Sequence, residues 1–453
     1  MPTTLSRRRL LYLLSLTPGL ALRGDQPGKG LMVRSANPED FEMPLSGFDT
    51  WLTPAENFYV RTHIYKPKVE LSAWRLRVDG RVERELTLDM AQLEKLPRVE
   101  QVAVMECAGN GRSFYDPGVA GMQWRYGAVG NARWTGVRLA DVLKRAGLKP
   151  GATQVLFNGA DVPMGKVPDF VRSVPLEKAL HPDTMLAFHM NGAPLPSSHG
   201  FPLRLVPPGW AGDSWVKWVT NITLLDKEYD GFFMKTAYRH PIRTVPPGTA
   251  VAPSAMVPVT SIKPKSIIAA PVAGERLAAG PLTIRGAAWA GVSPVARVDV
   301  STDSGRTWRP AKLGVDRARY AWRLWEATWT PPGDGSYVLM AKATDDTGET
   351  QPFLEDWNPS GYLWNVVHSV RVEVGGGPPG LPPTPAPSEV PPFPDKVKQT
   401  CFGCHGQDMI AGQHLTRPQW EREVDKMTRW GAQVAPQDHP ALVDYLFQTL
   451  GPK

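Results

Sequence analysis

The stretch "QTCFGCHGQD", which begins at Gln399, holds two of the three cysteines in the chain. Cys401, Cys404 and His405 form C-x-x-C-H. Thiols at this spacing can add to both vinyl groups of a haem, and the adjacent histidine then lies under the iron as axial ligand. A zinc site would need a second ligand pair, and His414 and His439 offer one without the usual spacing. A redox dithiol belongs in a βαβ setting, which is missing around these residues. A unit that only carries electrons needs a sixth iron ligand. Met427, close to Trp420 and Trp430, is the first candidate. Met409 and His414 are alternatives, and plain core packing is the competing use for Met427.

The third cysteine, Cys107, lies in "VMECAGNGRSF". A lone cysteine at a strand end is ordinarily a small, inert core residue. Its neighbours argue for more. Gly109 and Gly111 let the backbone pass close to something bulky, Arg112 can face a bound anion, and a soft thiolate suits a transition metal.

The elements that would position these residues can be read in outline. "VEQVAVMEC" from Val99 reads as a strand that delivers Cys107, and "RLADVLKRAGL" from Arg138 as a helix with a glycine stop. "PLRLVPPG" and "WVKWVTNITLLD" read as further strands, so residues 25–250 form an α+β region. From 251 to 374 alternating segments separated by glycine-rich turns predict an immunoglobulin-like β-sandwich, with "DSG" between Val300 and Trp308 as a hairpin loop. The dense prolines of 375–394 make a semi-rigid linker. In 395–453, "RPQWEREVDKMTRW" and "PALVDYLFQTL" have helical periodicity and predict a small all-α domain.

At the N-terminus Arg7, Arg8 and Arg9 precede the apolar run Leu10 to Leu16. That run is too short to span a bilayer, and the order is that of a signal peptide over residues 1–24. The paired arginines indicate the twin-arginine route, although the lysine and phenylalanine often seen there are absent and no A-x-A cleavage site follows. The expectation is a periplasmic, exported protein without a stable membrane span. Haem attachment outside the cytoplasm agrees with it. The 453 residues are enough for two or three domains. A formal net charge of +7 suits a soluble protein with a positive surface or an anionic substrate. Without a Lys/Arg run or a nucleic-acid motif, no nucleic-acid partner is expected.

Several ordered blocks together carry a resemblance: "NFYVRTH" from Asn57, "ECAGNGR" from Glu106, "GAVGNARWTGVRLADVL" from Gly127, "LAFHMNGAPLPSSHGFPLRLVPPG" from Leu186, "SWVKW" from Ser214, then "WRLWE" and "GYLWNVVH" in the sandwich. Over roughly 37–374 the chain resembles the sulfite oxidase family of molybdenum enzymes. The resemblance implies the sulfite oxidase fold, a molybdenum–molybdopterin cofactor with Cys107 as its protein ligand, and homodimerisation through the sandwich. It implies pterin contacts from Asn57, His63, His199, Arg204 and Lys217, and an oxyanion pocket with Arg61, Arg112 and Trp124. The tail is similar to short cytochrome c domains of oxidoreductases.

The implied reaction is oxidation of sulfite, or a related sulfur oxyanion, by oxygen-atom transfer. Electrons would leave through one covalent haem c to an external cytochrome c. Two departures bear on substrate. Phe188 stands where animal and plant members have an active-site tyrosine in "LAYEMNG", unless Tyr115 stands in, and Ser360 replaces a third pocket arginine. The alternatives are a sulfane-sulfur dehydrogenase acting on a carrier protein, a molybdenum-dependent reductase of an oxo-compound, or an inert electron-transfer protein.

Overall fold

The computed structural model describes residues 30–163, 165–381, 393–402 and 404–452. The expected export signal and the middle of the proline-rich linker lie outside the described residues.

The first region is built on three sheets. A small one pairs Met32–Ser35, Asp40–Glu42 and Val60–Arg61. A second runs in the order Ala193–Pro194, Met185–Met190, Val129–Arg138, Arg98–Glu106, with Arg204–Val206 also paired to Met185–Met190. The third has Asn221–Leu225 at its centre, parallel to Leu76–Gly80 and antiparallel to Gln154–Asn158. Two antiparallel sheets and one mixed sheet, with short helices between them, make the α+β pattern.

The strand Arg98–Glu106 is partly exposed at its start and fully buried from Ala103 on, where Val104 donates to the Tyr320 carbonyl at 2.8 Å. The helix Leu139–Ala146 buries Leu139, Val142, Leu143 and Ala146, one stripe at helical spacing. It ends at Gly147, whose φ of +72° suits glycine and whose N–H caps the last carbonyls. "WVKWVTNITLLD" is a strand only over Asn221–Leu225. Before it the chain turns at Trp218, φ +52°, which puts Trp215 and Trp218 on the wall of a cavity instead of in a ladder.

The second region is a two-sheet β-sandwich. One sheet runs Lys265–Ala270, Leu282–Trp289, Arg323–Trp329, Lys312–Leu313, and the other Arg276–Leu277, His368–Val374, Gly335–Asp345, Val295–Ser301, Arg309–Pro310. The "DSG" segment is the expected hairpin loop: Val300 pairs with Arg309, and Ser304 and Gly305 take positive φ. The apolar core continues from the first region into the sandwich, through Ile267, Ala287, Trp289 and Trp322, and Phe48 stacks on Trp289 at 5.7 Å.

The C-terminal unit has helices Asp395–Cys401, Gln407–Ala411, Arg417–Arg429 and His439–Leu450 around Phe393, Trp420, Val424, Val443 and Leu446. Gln419 caps the third helix by accepting the Thr416 N–H at 2.7 Å. This unit is docked on the first region. Gly406 donates to the Asn37 carbonyl at 2.8 Å, Gln419 to the Gly118 carbonyl at 2.7 Å, and Trp430 meets Phe232 edge-on at 5.2 Å. The start of the linker is pinned as well, by paired bonds between Arg276 and Gly380. Among the described residues no helix is long and apolar enough to cross a membrane.

Candidate active site

Cys107 follows directly on Arg98–Glu106 and is 8% exposed. Its N–H donates to the Ala128 carbonyl at 2.9 Å, and its carbonyl accepts the Asn110 N–H at 2.9 Å. The side chain of Asn110 then fastens the turn, donating to Glu106 at 2.8 Å and accepting from Ala128 at 3.1 Å. Gly111 has φ +93°, and a Cβ there would lie 2.7 Å from Trp364. The local pattern around Cys107 is therefore a tight loop that only small and amide side chains close.

The loop opens into a cavity of about 610 Å³, measured out to its mouth. Arg61, His63, Cys107, His199, Arg204 and Lys217 all line it, so six residues scattered over 157 positions of chain meet at one place. Asn57 closes a short 3-10 helix outside the cavity wall. Trp124 is fully buried one layer back, edge-on to the cavity residue Tyr59 at 6.5 Å. Arg112 is 6% exposed and also off the wall; it donates to the Met122 and Ser360 carbonyls at 3.0 and 3.2 Å. Its charge is nonetheless felt by the Cys107 thiol.

Charge dominates this cavity. Burial pushes the Lys217 ammonium down to about 7, and the Arg204 guanidinium pushes in the same direction. Arg204 itself is lowered to about 10 by burial. It is 2% exposed and donates to the His199 and Trp215 carbonyls at 2.9 and 3.1 Å, with its Nε unpartnered. Burial, then Arg204, lowers His199 to about 3, so its ring is neutral, and Nε2 donates to the Ala55 carbonyl at 3.1 Å. His63 is likewise lowered, by burial and then Arg61. Burial pulls Arg61 down, but Asp40, at 3.0 Å, together with Tyr238 and Cys107 outweighs this and leaves the guanidinium above its ordinary value. Burial raises Cys107, opposed by the Gly109 N–H and by Arg61 and Arg112.

A pocket lined by Arg61, Arg204 and Lys217, with the Arg204 Nε unpartnered, fits the phosphate and polar edge of a pterin cofactor. A buried thiol held among arginines fits a metal that displaces its proton. On the C-terminal unit, Cys401 and Cys404 are free thiols, and His405 has a buried Nδ1 without a partner. Burial, then Lys426, then Arg61 lower the His405 imidazole, which favours the neutral form a metal requires. These residues fit covalent haem. The zinc alternative is not supported among the described residues: no three His, Cys, Asp or Glu converge, and His439 pairs with Asp425 at 2.9 Å. Met427 is half-buried on the helix Arg417–Arg429, whereas Met409 packs against the cluster that contains Cys107 and Met122.

Several cavity residues were not among the candidates. Tyr59 lies inside the quoted "NFYVRTH", Ser198 beside His199, and Asp213 one residue before "SWVKW", so local signals existed for these. Asp161 and Tyr238 had none. Phe188 is not a cavity residue: it is 4% exposed in the core, with Arg98 over its ring at 5.4 Å. The phenylalanine that does face the cavity is Phe170, stacked on His63 at 4.0 Å. Tyr115 does not stand in either, because its hydroxyl donates to the Tyr362 carbonyl at 2.7 Å away from the cavity. Two phenols do line the wall, Tyr59 and Tyr238, and the Tyr238 hydroxyl lies 2.5 Å from His63 Nε2.

The family model for the oxidoreductase molybdopterin binding domain matches residues 63–233, and that for the Mo-co oxidoreductase dimerisation domain matches 257–375. The sulfite oxidase of Gallus gallus is 37% identical over 362 residues, covering 76% of this chain and 78% of that protein. Mitochondrial sulfite oxidase of Homo sapiens is 36% identical over 361 residues, covering 76% of this chain and 66% of that protein. The crystal structure of the sulfane dehydrogenase SoxCD from Paracoccus pantotrophus matches with a TM-score of 0.64 at 27% identity, over 81% of this chain and 90% of that chain.

Proposed function

We infer the reaction from one premise: this chain belongs to the sulfite oxidase family of molybdenum oxidoreductases. We propose that it is exported to the periplasm, oxidises sulfite to sulfate, and passes the electrons through a covalent haem c to an external cytochrome. The observation that carries this reading is Cys107 on the wall of a cationic cavity, with the C-x-x-C-H unit docked beside it. Homodimerisation through the sandwich is part of the same reading, supported by the match to a dimerisation domain.

When bound, molybdenum–molybdopterin supplies the two-electron oxygen-atom chemistry, and haem supplies one-electron relay. The chain's own residues bind and orient. Lys217 and Arg204 would hold the cofactor's phosphate, which restores the charged form that burial disfavours in Lys217. Cys107 would hold the metal after losing its proton. Arg61 on the wall and Arg112 behind it both favour the thiolate of Cys107 and would hold the sulfur oxyanion, since a guanidinium keeps its charge and its planar fork matches such anions. Asp40 fixes Arg61 with two bonds, of 3.0 and 3.1 Å, so the arginine is oriented before substrate arrives.

Sulfite and water give sulfate, two protons and two electrons. Asp161 and Asp213, each pushed up to about 6 by burial, are, with Lys217, cavity groups that would hold or release a proton near neutral pH. Phe170, Tyr59 and Trp215 give the same wall aromatic surface.

A second reading, a sulfane-sulfur dehydrogenase, is favoured by the likeness to SoxCD over 90% of that chain. Ser360 at the place of a family arginine also leaves less positive charge for a small free anion. Steady-state turnover with oxidised cytochrome c as acceptor separates the two. The first reading expects kcat/KM for free sulfite of at least about 10⁴ M⁻¹s⁻¹, within the ordinary enzyme range. Turnover only with sulfur bound to a carrier protein would replace it with the second.

A further inference from the structure

Arg112 sits in a cage of glycines. Added Cβ atoms would come within 2.7 Å of its guanidinium at Gly109 and 2.8 Å at Gly121, and within 2.9 Å of its stem at Gly361. Its Nη atoms bond only to main chain, the Met122 and Ser360 carbonyls, its Nε has no partner, and the Tyr362 ring lies 4.9 Å below. The position of this arginine is therefore set by where two irregular segments put their backbone.

One of those segments, 118–122, is held from the C-terminal unit. Gln413 Nε2 donates to the Gly121 carbonyl at 2.8 Å, and Gln413 Oε1 accepts the Gly121 N–H at 3.3 Å. The same Oε1 receives Gln123 Nε2 at 3.4 Å, while Gln123 also donates to Gly121 at 2.8 Å. Gln413 is 8% exposed and is braced by the Met409 carbonyl at 3.1 Å. A primary amide is the side chain that can both donate to and accept from one peptide. Gly121 contributes no side chain of its own and takes φ +121°; Gln123 shares its carbonyl, and Gln413 is the side chain that bonds both its carbonyl and its N–H.

We propose that Gln413 is a positioning residue for Arg112: it clasps Gly121, and so makes the docked C-terminal unit part of the frame that fixes the anion-binding arginine. This rests on the reading of Arg112 as an oxyanion residue. Gln413→Ala removes the clasp, and Gln413→Glu keeps the size but sets a carboxylate against the Gly121 carbonyl. Gln419→Ala is the comparison that isolates Gly121, because Gln419 holds the same segment at its other end, on the Gly118 carbonyl, without bonding to Gly121 or Arg112.

Two readouts on the full-length holoenzyme decide the matter. The first is the split of kinetic constants. Both Gln413 variants are expected to raise KM for sulfite by roughly tenfold with kcat within about twofold, the loss of one to two hydrogen bonds' worth of binding, and Gln419→Ala to leave KM unchanged. The second is labelling of Arg112 by phenylglyoxal, read by peptide mass, which should quicken several-fold in the Gln413 variants only. An unchanged KM in a parent that turns over sulfite overturns the proposal, as does an equal effect of Gln419→Ala. If the parent has no sulfite activity, the substrate reading has failed, and Arg112 labelling alone decides: unchanged labelling in Gln413→Ala overturns the clasp.

Discussion

Lys265 reaches from the first strand of the sandwich to place its ammonium 2.5 Å from the carboxylate of Glu106, the residue that precedes Cys107. Both are nearly inaccessible, at 3% and 5% of their side-chain surface. Asn110 and Trp289 each donate to the same carboxylate at 2.8 Å. The thiol loop is thus anchored to the second region by a buried, fully bonded charge pair. Replacing Lys265 by methionine strands the carboxylate, which costs about 3–5 kcal/mol for a pair of this kind. Lys265→Met should lower the denaturation temperature clearly, and the double variant with Glu106→Gln should recover most of the loss. Thermal scans of the three proteins check this; a single variant as stable as the parent would contradict it.

The sandwich carries a separate acid sensitivity. His368 is buried, its Nδ1 accepts the Ile268 N–H at 2.9 Å, and burial lowers it to about 4. Its folded value lies below the ordinary histidine value, so between pH 6.5 and 4 the unfolded chain binds a proton that the folded chain refuses. Stability from this group is full above 6.5 and falls as pH drops toward 4, by up to about 3 kcal/mol. His368→Gln should flatten that part of the stability–pH curve. An identical slope in the variant would remove His368 as the cause.

Much of this layout was legible in the sequence where the cause is local. The loop at Cys107 announces itself because cysteine, two glycines and an amide close a turn within five residues. The helix after Arg138 carries its own stripe and its own glycine stop. What was hidden depends on distant chain. Asp40 and Arg61 meet through paired short strands, Tyr238 reaches His63 across 175 positions, and Gln413 reaches Gly121 from another unit. An aspartate, a tyrosine or a glutamine has no spacing rule that reveals such a partner. Phe188 and Phe170 illustrate the same limit. Each is an apolar residue at a strand or its edge, and only packing decides that Phe170 meets the cavity while Phe188 meets Arg98. The strand expected from Trp215 begins only at Asn221, because the positive φ at Trp218 breaks the extended run that β-branched and aromatic residues favour.

The C-terminal unit is a short chain with a modest core, and units of this size ordinarily need a staple. Covalent haem would be one. Cys401→Ala with Cys404→Ala should give protein without the c-type haem spectrum and with its 395–452 segment cut by protease well before the sandwich. His405→Ala should keep the attached haem but shift its spectrum to that of a lost axial ligand. Protease resistance and spectra matching the parent in all variants would rule out this use of C-x-x-C-H.

The central claim is that electrons pass from substrate at Cys107 to haem at His405 within one chain. The direct measurement is the visible spectrum of the oxidised, air-free protein, with molybdenum and haem both verified, as sulfite is added. Expected is reduction of the haem within the time of one turnover, abolished in Cys107→Ser although the oxidised haem spectrum of that variant is unchanged. Haem reduction that persists in Cys107→Ser, or its absence in a parent that holds both metals, would contradict the claim.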